Sequence, residues 1–247
     1  MAVRKKFWFN NKCSTDFDMY LTGAGTFGTV AKTVNKYSVP GRNGALIVSD
    51  DHFENQSYQI TAGFFGDNEY EFERKCSKIR NWLLLSNGYC RLEDDYHPDE
   101  YRMAAYIGGD DISVTNLLHG EIVLNFDCQP QHFLKAGEEK IVFTSSGSLD
   151  FGNDLACNAK PLVRIYGTGQ LVIGDGIIEV LKAGSSYIDV DCSSCQAYEQ
   201  GEYRNENIKV SYKGEEHVFP EISPLKTTVS FPSTITKVEI VPRWWTL

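Results

Sequence analysis

Nowhere does an uninterrupted apolar run approach the roughly 20 residues that a membrane-spanning helix needs. Near the start the only apolar stretch is Phe7-Trp8-Phe9, far short of the about 7–15 residues of a secretory leader's core. Neither membrane insertion nor a secretory leader is therefore expected. Basic charge is also scarce: 24 Lys+Arg stand against 33 Asp+Glu, a net −9. That balance excludes a protein whose main task is gripping a nucleic-acid backbone, which needs a basic face. The seven cysteines (13, 76, 90, 128, 157, 192 and 195) are odd in number and share no repeating spacing. They do not read as a disulfide framework but as reduced thiols in a cytosolically made chain, where the sequon Asn55-Gln56-Ser57 carries no information.

Helical periodicity is nearly missing too. It occurs once, between Asn68 and Ser86, where Phe72, Cys76, Ile79, Trp82 and Leu83 recur at spacings of three and four. Asn68 with Glu71 forms a capping box, and Asn87-Gly88 offers a left-handed stop, so a helix over 68–86 is expected. Glu69, Glu71 and Glu73 precede Arg74, Lys75, Lys78 and Arg80, the polarity that suits the helix dipole.

What the chain has in quantity is strand signal. Aromatics make up 13% of its 247 residues, with 14 Phe and 13 Tyr, and these favour strands. Tyr58, Ile60, Ala62 and Phe64 alternate along one strand face. So do Tyr101, Met103, Ala105 and Ile107, and likewise Ile122, Leu124, Phe126 and Cys128. Pro40-Gly41-Arg42-Asn43-Gly44 separates two strand-like arms, as an extended hairpin requires. Around Pro130 and the polar run 135–139 the pattern changes. Beyond it come short strands with turns at close intervals: 141–144, 161–166, 171–173, 177–181, 187–191, 208–212, 227–231 and 238–241. The expected architecture is mainly β, with residues 1–134 carrying the helix and hairpin and residues 135–247 forming a β-sandwich.

Several strings imitate catalytic motifs. Residues 23–30 spell the glycine-rich loop of a protein kinase, and Asp150-Phe151-Gly152 spells its metal-binding triplet. There is no HRD-type catalytic loop and no helical lobe, so both read as turns. No helix follows Gly28, which removes the dinucleotide reading. Cys192-Ser193-Ser194-Cys195 lacks a second ligand pair for zinc and reads as a strand end entering a turn. The stretch Asp94 to Glu100 is dense in carboxylates without the loop periodicity of an EF-hand, and a solvated acidic hairpin tip is expected. No catalytic, metal or cofactor-binding residue is assigned.

Two ordered strings carry a resemblance. The first is Tyr37 to Gly44, then Tyr58-Gln59-Ile60, the helix, and Tyr89-Cys90-Arg91-Leu92. The second runs from Gly174-Asp175-Gly176 through Tyr187 to Cys192, Ala197-Tyr198 and Phe219-Pro220 to the closing Pro242-Arg243-Trp244-Trp245. This order resembles the distal tail (Dit) proteins of long-tailed phages and prophages. The stretch Glu221 to Lys226 departs from it, since Pro224 stands where relatives commonly turn on glycine.

The resemblance implies an N-terminal β-sandwich with a helix and an extended hairpin, and a C-terminal galectin-like sandwich. It implies a non-enzymatic virion protein without cofactors: a hexameric ring at the tail tip, made in the host cytoplasm. Its implied partners are the major tail tube protein, the tail-associated (Tal) protein and receptor-binding proteins, with DNA passing through unbound. The hairpin tip Pro40, Gly41, Arg42, Asn43 and Gly44 would meet the neighbouring subunit. Trp244 and Trp245 are expected to be packed, because exposed tandem tryptophans invite aggregation. Two other classes compete. A carbohydrate-binding module would use Tyr198, Tyr203, Arg204 and Asn205. A wall-degrading enzyme would need a carboxylate pair such as Asp94 with Glu100.

Overall fold

The computed structural model describes residues 4–23, 25, 28–108, 111–116, 118–154, 156–182 and 186–247. Ala24, Thr26 and Phe27 of the glycine-rich run, and Gly109 and Asp110 of a turn, lie outside them. The chain is mainly β and divides into two compact units, Met1–His132 with Leu247, and Phe133–Thr246.

The first unit contains β1 (Phe7–Phe9), β2 (Lys12–Cys13), β3 (Met19–Leu21), β4 (Lys32–Ser38), β5 (Ala45–Phe53), β6 (Gln56–Phe65), α1 (Glu69–Leu84), β7 (Cys90–Asp94), β8 (Glu100–Tyr106), β9 (Ile112–Asn116) and most of β10 (His119–Leu134). Its main sheet runs in the order β2-β1-β7-β8-β10-β6-β3, with β9 also pairing β10. Period-two alternation along β6 and β10 turns Tyr58, Ile60, Ala62, Phe64, Ile122, Leu124 and Phe126 into one buried face. Helix α1 covers that face with the apolar stripe anticipated from its spacing, Phe72, Cys76, Ile79, Trp82 and Leu83.

Trp82 is the centre of this packing. It stacks on Phe17 at 4.4 Å and on Phe7 at 5.4 Å, and its indole N–H donates to the Phe9 carbonyl at 3.0 Å. Gly120 lets the helix approach the sheet: a Cβ there would sit 2.8 Å from the Phe64 ring and 2.9 Å from Phe72. The Asn68 side chain caps the helix by accepting from Glu71 N–H at 3.0 Å. The stop differs from expectation. The helix ends at Leu84, Leu85 is the cap, and the Ser86 hydroxyl donates to the Leu83 carbonyl at 2.9 Å. Gly88 is left-handed, with φ 67°, but belongs to the turn beyond the cap.

The face shared by Tyr101, Met103, Ala105 and Ile107 is the outer one. In β8 it is Arg102 and Ala104 that are buried, while Tyr101, Met103 and Ala105 are only half-buried and Ile107 is exposed. The register with β7 (Leu92 opposite Arg102, Cys90 opposite Ala104) puts the face of Arg102 and Ala104 on the core.

The second unit holds β11 (Ile141–Phe143), β12 (Gly147–Leu149), β13 (Leu162–Gly167), β14 (Gly169–Ile173), β15 (Gly176–Val180), β16 (Ile188–Asp191), β17 (Gln196–Glu199), β18 (Glu202–Tyr203), β19 (Ile208–Tyr212), β20 (Glu215–Glu216), β21 (Thr227–Ser230), β22 (Ile235–Val241) and β23 (Trp245–Thr246). Two six-stranded sheets form, β11-β22-β13-β16-β17-β18 and β12-β21-β14-β15-β19-β20. Their alternating residues share one core: Val163, Ile165, Ile188, Val190, Val238 and Ile240 with Leu171, Ile173, Ile178, Val180 and Val229.

The closing tryptophans are packed, as expected. Trp244 is 1% exposed and stacks on Phe151 at 5.4 Å. Its carbonyl accepts from Leu134 N–H at 2.8 Å, and Arg243 N–H donates to the Gly137 carbonyl at 2.7 Å. Gly137 is required by this approach, because a Cβ would lie 2.3 Å from Trp244 N. The Trp245 indole donates to the Asn158 carbonyl at 2.9 Å. Asp150-Phe151-Gly152 is a turn, with Gly152 N–H donating to Asp150 Oδ1 at 2.9 Å. Cys192-Ser193-Ser194-Cys195 is one as well: Asp191 Oδ1 accepts from Ser193 N–H at 2.9 Å, and Cys195 has φ 55°.

Replacing Trp244 with Ala removes a fully buried indole. It should cost about 3–5 kcal/mol of the second unit's stability, read by urea denaturation. Deleting residues 244–247 should lower the melting temperature in the same direction.

Candidate functional site: a free hairpin and a buried charged network

Strands β4 and β5 form a two-stranded sheet on their own, and among the described residues no third strand joins it. The register runs from Val34 opposite Ser49 to Ser38 opposite Ala45. At the tip, Arg42 N–H donates to the Val39 carbonyl at 3.2 Å, and Gly41 takes φ 78°. Proline before a left-handed glycine is the chemistry of a type II turn, so Pro40-Gly41 sets the reversal. Gly44, with φ 82°, completes the return. Arg42 and Asn43 are exposed.

Cross-strand pairing puts Tyr37, Leu46 and Val48 on one face and Ile47 on the other. These side chains stay open to solvent, Tyr37 at 55% and Ile47 at 60%. An isolated two-stranded hairpin is marginally stable in water, and one with apolar groups on both faces is a contact surface waiting for cover.

Tyr198, Tyr203, Arg204 and Asn205 lie along β17, β18 and the turn after them. Three of the four hold local structure. Tyr198 Oη donates to Asp191 at 3.2 Å, Asn205 Oδ1 accepts from Ala197 N–H at 2.6 Å, and Arg204 pairs with Glu202. Tyr203 alone presents its ring, at 66% exposure. Asp191 is anchored further by Arg243, with bidentate contacts of 2.7 and 3.1 Å. Burial alone would raise its pKa, but the Arg243 pair outweighs that and holds the carboxyl below its usual range.

The acidic stretch 94–100 is solvated only at its tip, where Pro98 and Asp99 are exposed, and its first carboxylate points inward. Asp94 is 2% exposed and lies in a buried network with Gln56, Tyr58, His97, Arg102 and His132. The Tyr58 hydroxyl donates to Asp94 Oδ2 at 2.8 Å. The N–H groups of Tyr96 and His97 donate to Oδ1 at 2.8 and 3.0 Å. Arg102 reaches Asp94 at 3.6 Å, donates to Glu100 at 2.8 Å and lies 4.2 Å from the Tyr58 ring centre. His132 Nδ1 is 3.3 Å from Glu100, and its Nε2 is 2.6 Å from Gln56 Nε2.

The correction has a simple cause. A carboxylate that accepts from its own turn and from a buried arginine is stabilised inside, so charge density alone does not predict exposure. The sequence signal was available: continuing the buried alternation of β6 back to Gln56, and of β10 forward to His132, brings a polar group into each core face at the same end of the sheet.

Chemically, the carboxylates of the network are held by structural partners, an arrangement that suits anchoring. Burial, then Asp94, push the Tyr58 phenol well above its ordinary value. Burial pushes the Cys128 thiol up to about 12, so it is no nucleophile. For Glu100, burial is outweighed by the His132 hydrogen bond and the Arg102 charge, and its pKa falls below the usual range.

Fold and hairpin together define a class: two-unit β chains carrying one unsupported hairpin arm. No protein-family model matches this sequence, and no curated protein matches it. Among solved structures, the chain is similar to the Dit protein of phage SPP1, a paradigm of the hub adsorption apparatus in phages that infect Gram-positive bacteria. The match has a TM-score of 0.61 at 13% identity and covers 96% of this chain and 97% of that one. A chain of the phage P2 baseplate, in its activated conformation with calcium, matches with a TM-score of 0.48 at 10% identity over 98% of each chain. The fold is therefore that of the SPP1 Dit protein, in agreement with the resemblance read from the sequence.

Two outcomes follow from the buried charges. Arg102→Met leaves two carboxylates without their cation and should cost about 3–5 kcal/mol in urea unfolding. Glu100 and Asp191, held low in the folded state, stabilise it above their unfolded values of about 4. That contribution should be lost as pH falls from about 4 through the lower folded values, because the unfolded chain then takes up the protons first. Unfolding followed between neutral and acid pH checks it.

Proposed function

We propose that this chain is a structural hub of a phage tail tip, a ring-forming protein that joins the tail tube to the adsorption apparatus. The observation that carries the reading is the free β4–β5 hairpin, in a chain that shares its fold from end to end with the SPP1 Dit protein. A hairpin with apolar residues on both faces gains its stability by lying on another surface. A second copy supplies such a surface in a head-to-tail contact, and a head-to-tail contact that closes makes a ring. On this reading the ring is a hexamer, Arg42 at the tip touches the neighbour, and the second unit carries peripheral contacts.

The partners follow from the same role: the major tail tube protein on one side, the tail-associated (Tal) protein on the other, and receptor-binding proteins at the periphery. The net −9 suits a channel that DNA passes without being retained. The saturation of Asp94 and Glu100 by structural partners supports a non-enzymatic role over wall degradation.

The purified chain should appear in negative stain as a ring with six peripheral lobes. The double variant Leu46→Ser, Ile47→Ser should sediment as monomer with an unchanged melting temperature, because the hairpin belongs to neither core. Arg42→Glu should weaken the ring. A monomeric wild type, or rings that survive these changes, would defeat the reading.

A further inference from the structure

At one end of the sheet β12-β21-β14-β15-β19-β20, three chain reversals converge. Two are two-residue turns, Gly174-Asp175 between β14 and β15 and Lys213-Gly214 between β19 and β20. They are tied together by Lys213 N–H donating to the Asp175 carbonyl at 3.0 Å. The third is the segment 221–226 that leads into β21, where the sequence departs from the Dit pattern. There Leu225 N–H donates to Ser223 Oγ at 3.2 Å, and the Thr227 hydroxyl donates to the Ser223 carbonyl at 3.2 Å. The backbone is thus held at each wall.

Between these walls lies an open cleft of about 370 Å³, within the usual size range of small-ligand sites, about 300–1,000 Å³. Four charged side chains line it, two of each sign: Asp175, Glu221, Lys213 and Lys226. Among the described residues none of these four forms an ion pair, although elsewhere in the same unit neighbouring opposite charges close on one another. Examples are Arg164 with Asp189 at 2.7 Å and Lys140 with Glu239 at 3.0 Å. Tyr212, with the Lys213 ammonium 5.1 Å from its ring centre, and Thr228 contribute an aromatic wall and a hydroxyl.

The mixed lining selects its ligand. A phosphate or other anion meets Asp175 and Glu221, and a metal cation meets Lys213 and Lys226. A lipid finds few apolar groups. A sugar hydroxyl, in contrast, donates to a carboxylate while accepting from an ammonium, so neighbouring hydroxyls can bridge both signs at once. The C–H face of a pyranose can also lie against a tyrosine ring.

We propose that this cleft is a saccharide-binding site for a neutral sugar, one or two rings in size, separate from the surface around Tyr198 to Asn205. The site goes beyond the hub role, which requires no such cleft, and it does not depend on ring formation.

The test is titration of the full chain with a panel of neutral methyl glycosides and disaccharides, followed by saturation-transfer NMR and calorimetry, with inorganic phosphate as the competing probe. At least one neutral sugar should bind. Asp175→Asn and Lys226→Ala should each weaken it at least about tenfold, which is about 1.4 kcal/mol, with melting temperature and assembly state unchanged. Arg204→Ala, at the other surface, should leave binding intact. The proposal is overturned if no neutral sugar binds, if phosphate binds in place of sugar, or if both cleft variants keep wild-type affinity. Because assembly is read in the same samples, a failure here leaves the hub reading standing, and a missing ring leaves this site standing.

Discussion

An apolar sheet face has to be covered, and the way each such face in this chain meets that demand explains most of the structure. In the first unit the cover is α1, and its key is Trp82. That ring stacks on Phe7 and Phe17 while its N–H satisfies the Phe9 carbonyl, so helix, β1 and the short turn before β3 share one packed group. In the second unit each sheet covers the other. Among the described residues the β4–β5 hairpin is a strand pair with no cover, with Tyr37 and Ile47 left open on opposite faces. The assembly role proposed above rests on that imbalance rather than on any reactive group.

Polar burial follows the complementary rule. Charges go inside where partners exhaust their hydrogen-bonding capacity. Asp94 receives the Tyr58 hydroxyl, two backbone N–H groups and the edge of Arg102. Asp191 receives Arg243, Tyr198 and the N–H groups of its own turn. Each site pins a strand end to a turn, one in each unit. The Glu221–Lys226 segment shows how a local departure in sequence can still be well supported. Ala159 and Ile222 exchange two backbone hydrogen bonds of 2.9 Å, and Phe151 N–H donates to the Pro224 carbonyl at 3.1 Å.

Legibility varied with the kind of signal. The helix stripe was readable because five apolar residues at helical spacing have one geometric solution. The hairpin turn was readable because proline followed by glycine restricts the backbone on its own. The strands of the second unit were readable from alternation and turns, whereas short pieces such as β18 and β20, of two residues each, carry no period to detect. Which face of β8 points inward was not legible, since both of its alternating sets contain apolar residues. The inward turn of Asp94 was not legible, because Tyr58 and His132, which complete its network, come from other strands.

Local chemistry alone therefore determined the strand-rich class, the helix α1 and the tip of the hairpin. These depend on residues within a few positions of each other, where backbone preference and spacing decide. The tertiary structure alone decided which face of β8 is buried, how Tyr58 and His132 reach Asp94 and Glu100, and that among the described residues no third strand joins the β4–β5 ribbon. It alone also brought Asp175, Lys213, Glu221 and Lys226 around one cleft. Each of these depends on contacts between residues far apart along the chain, set by register and packing, which no local pattern encodes.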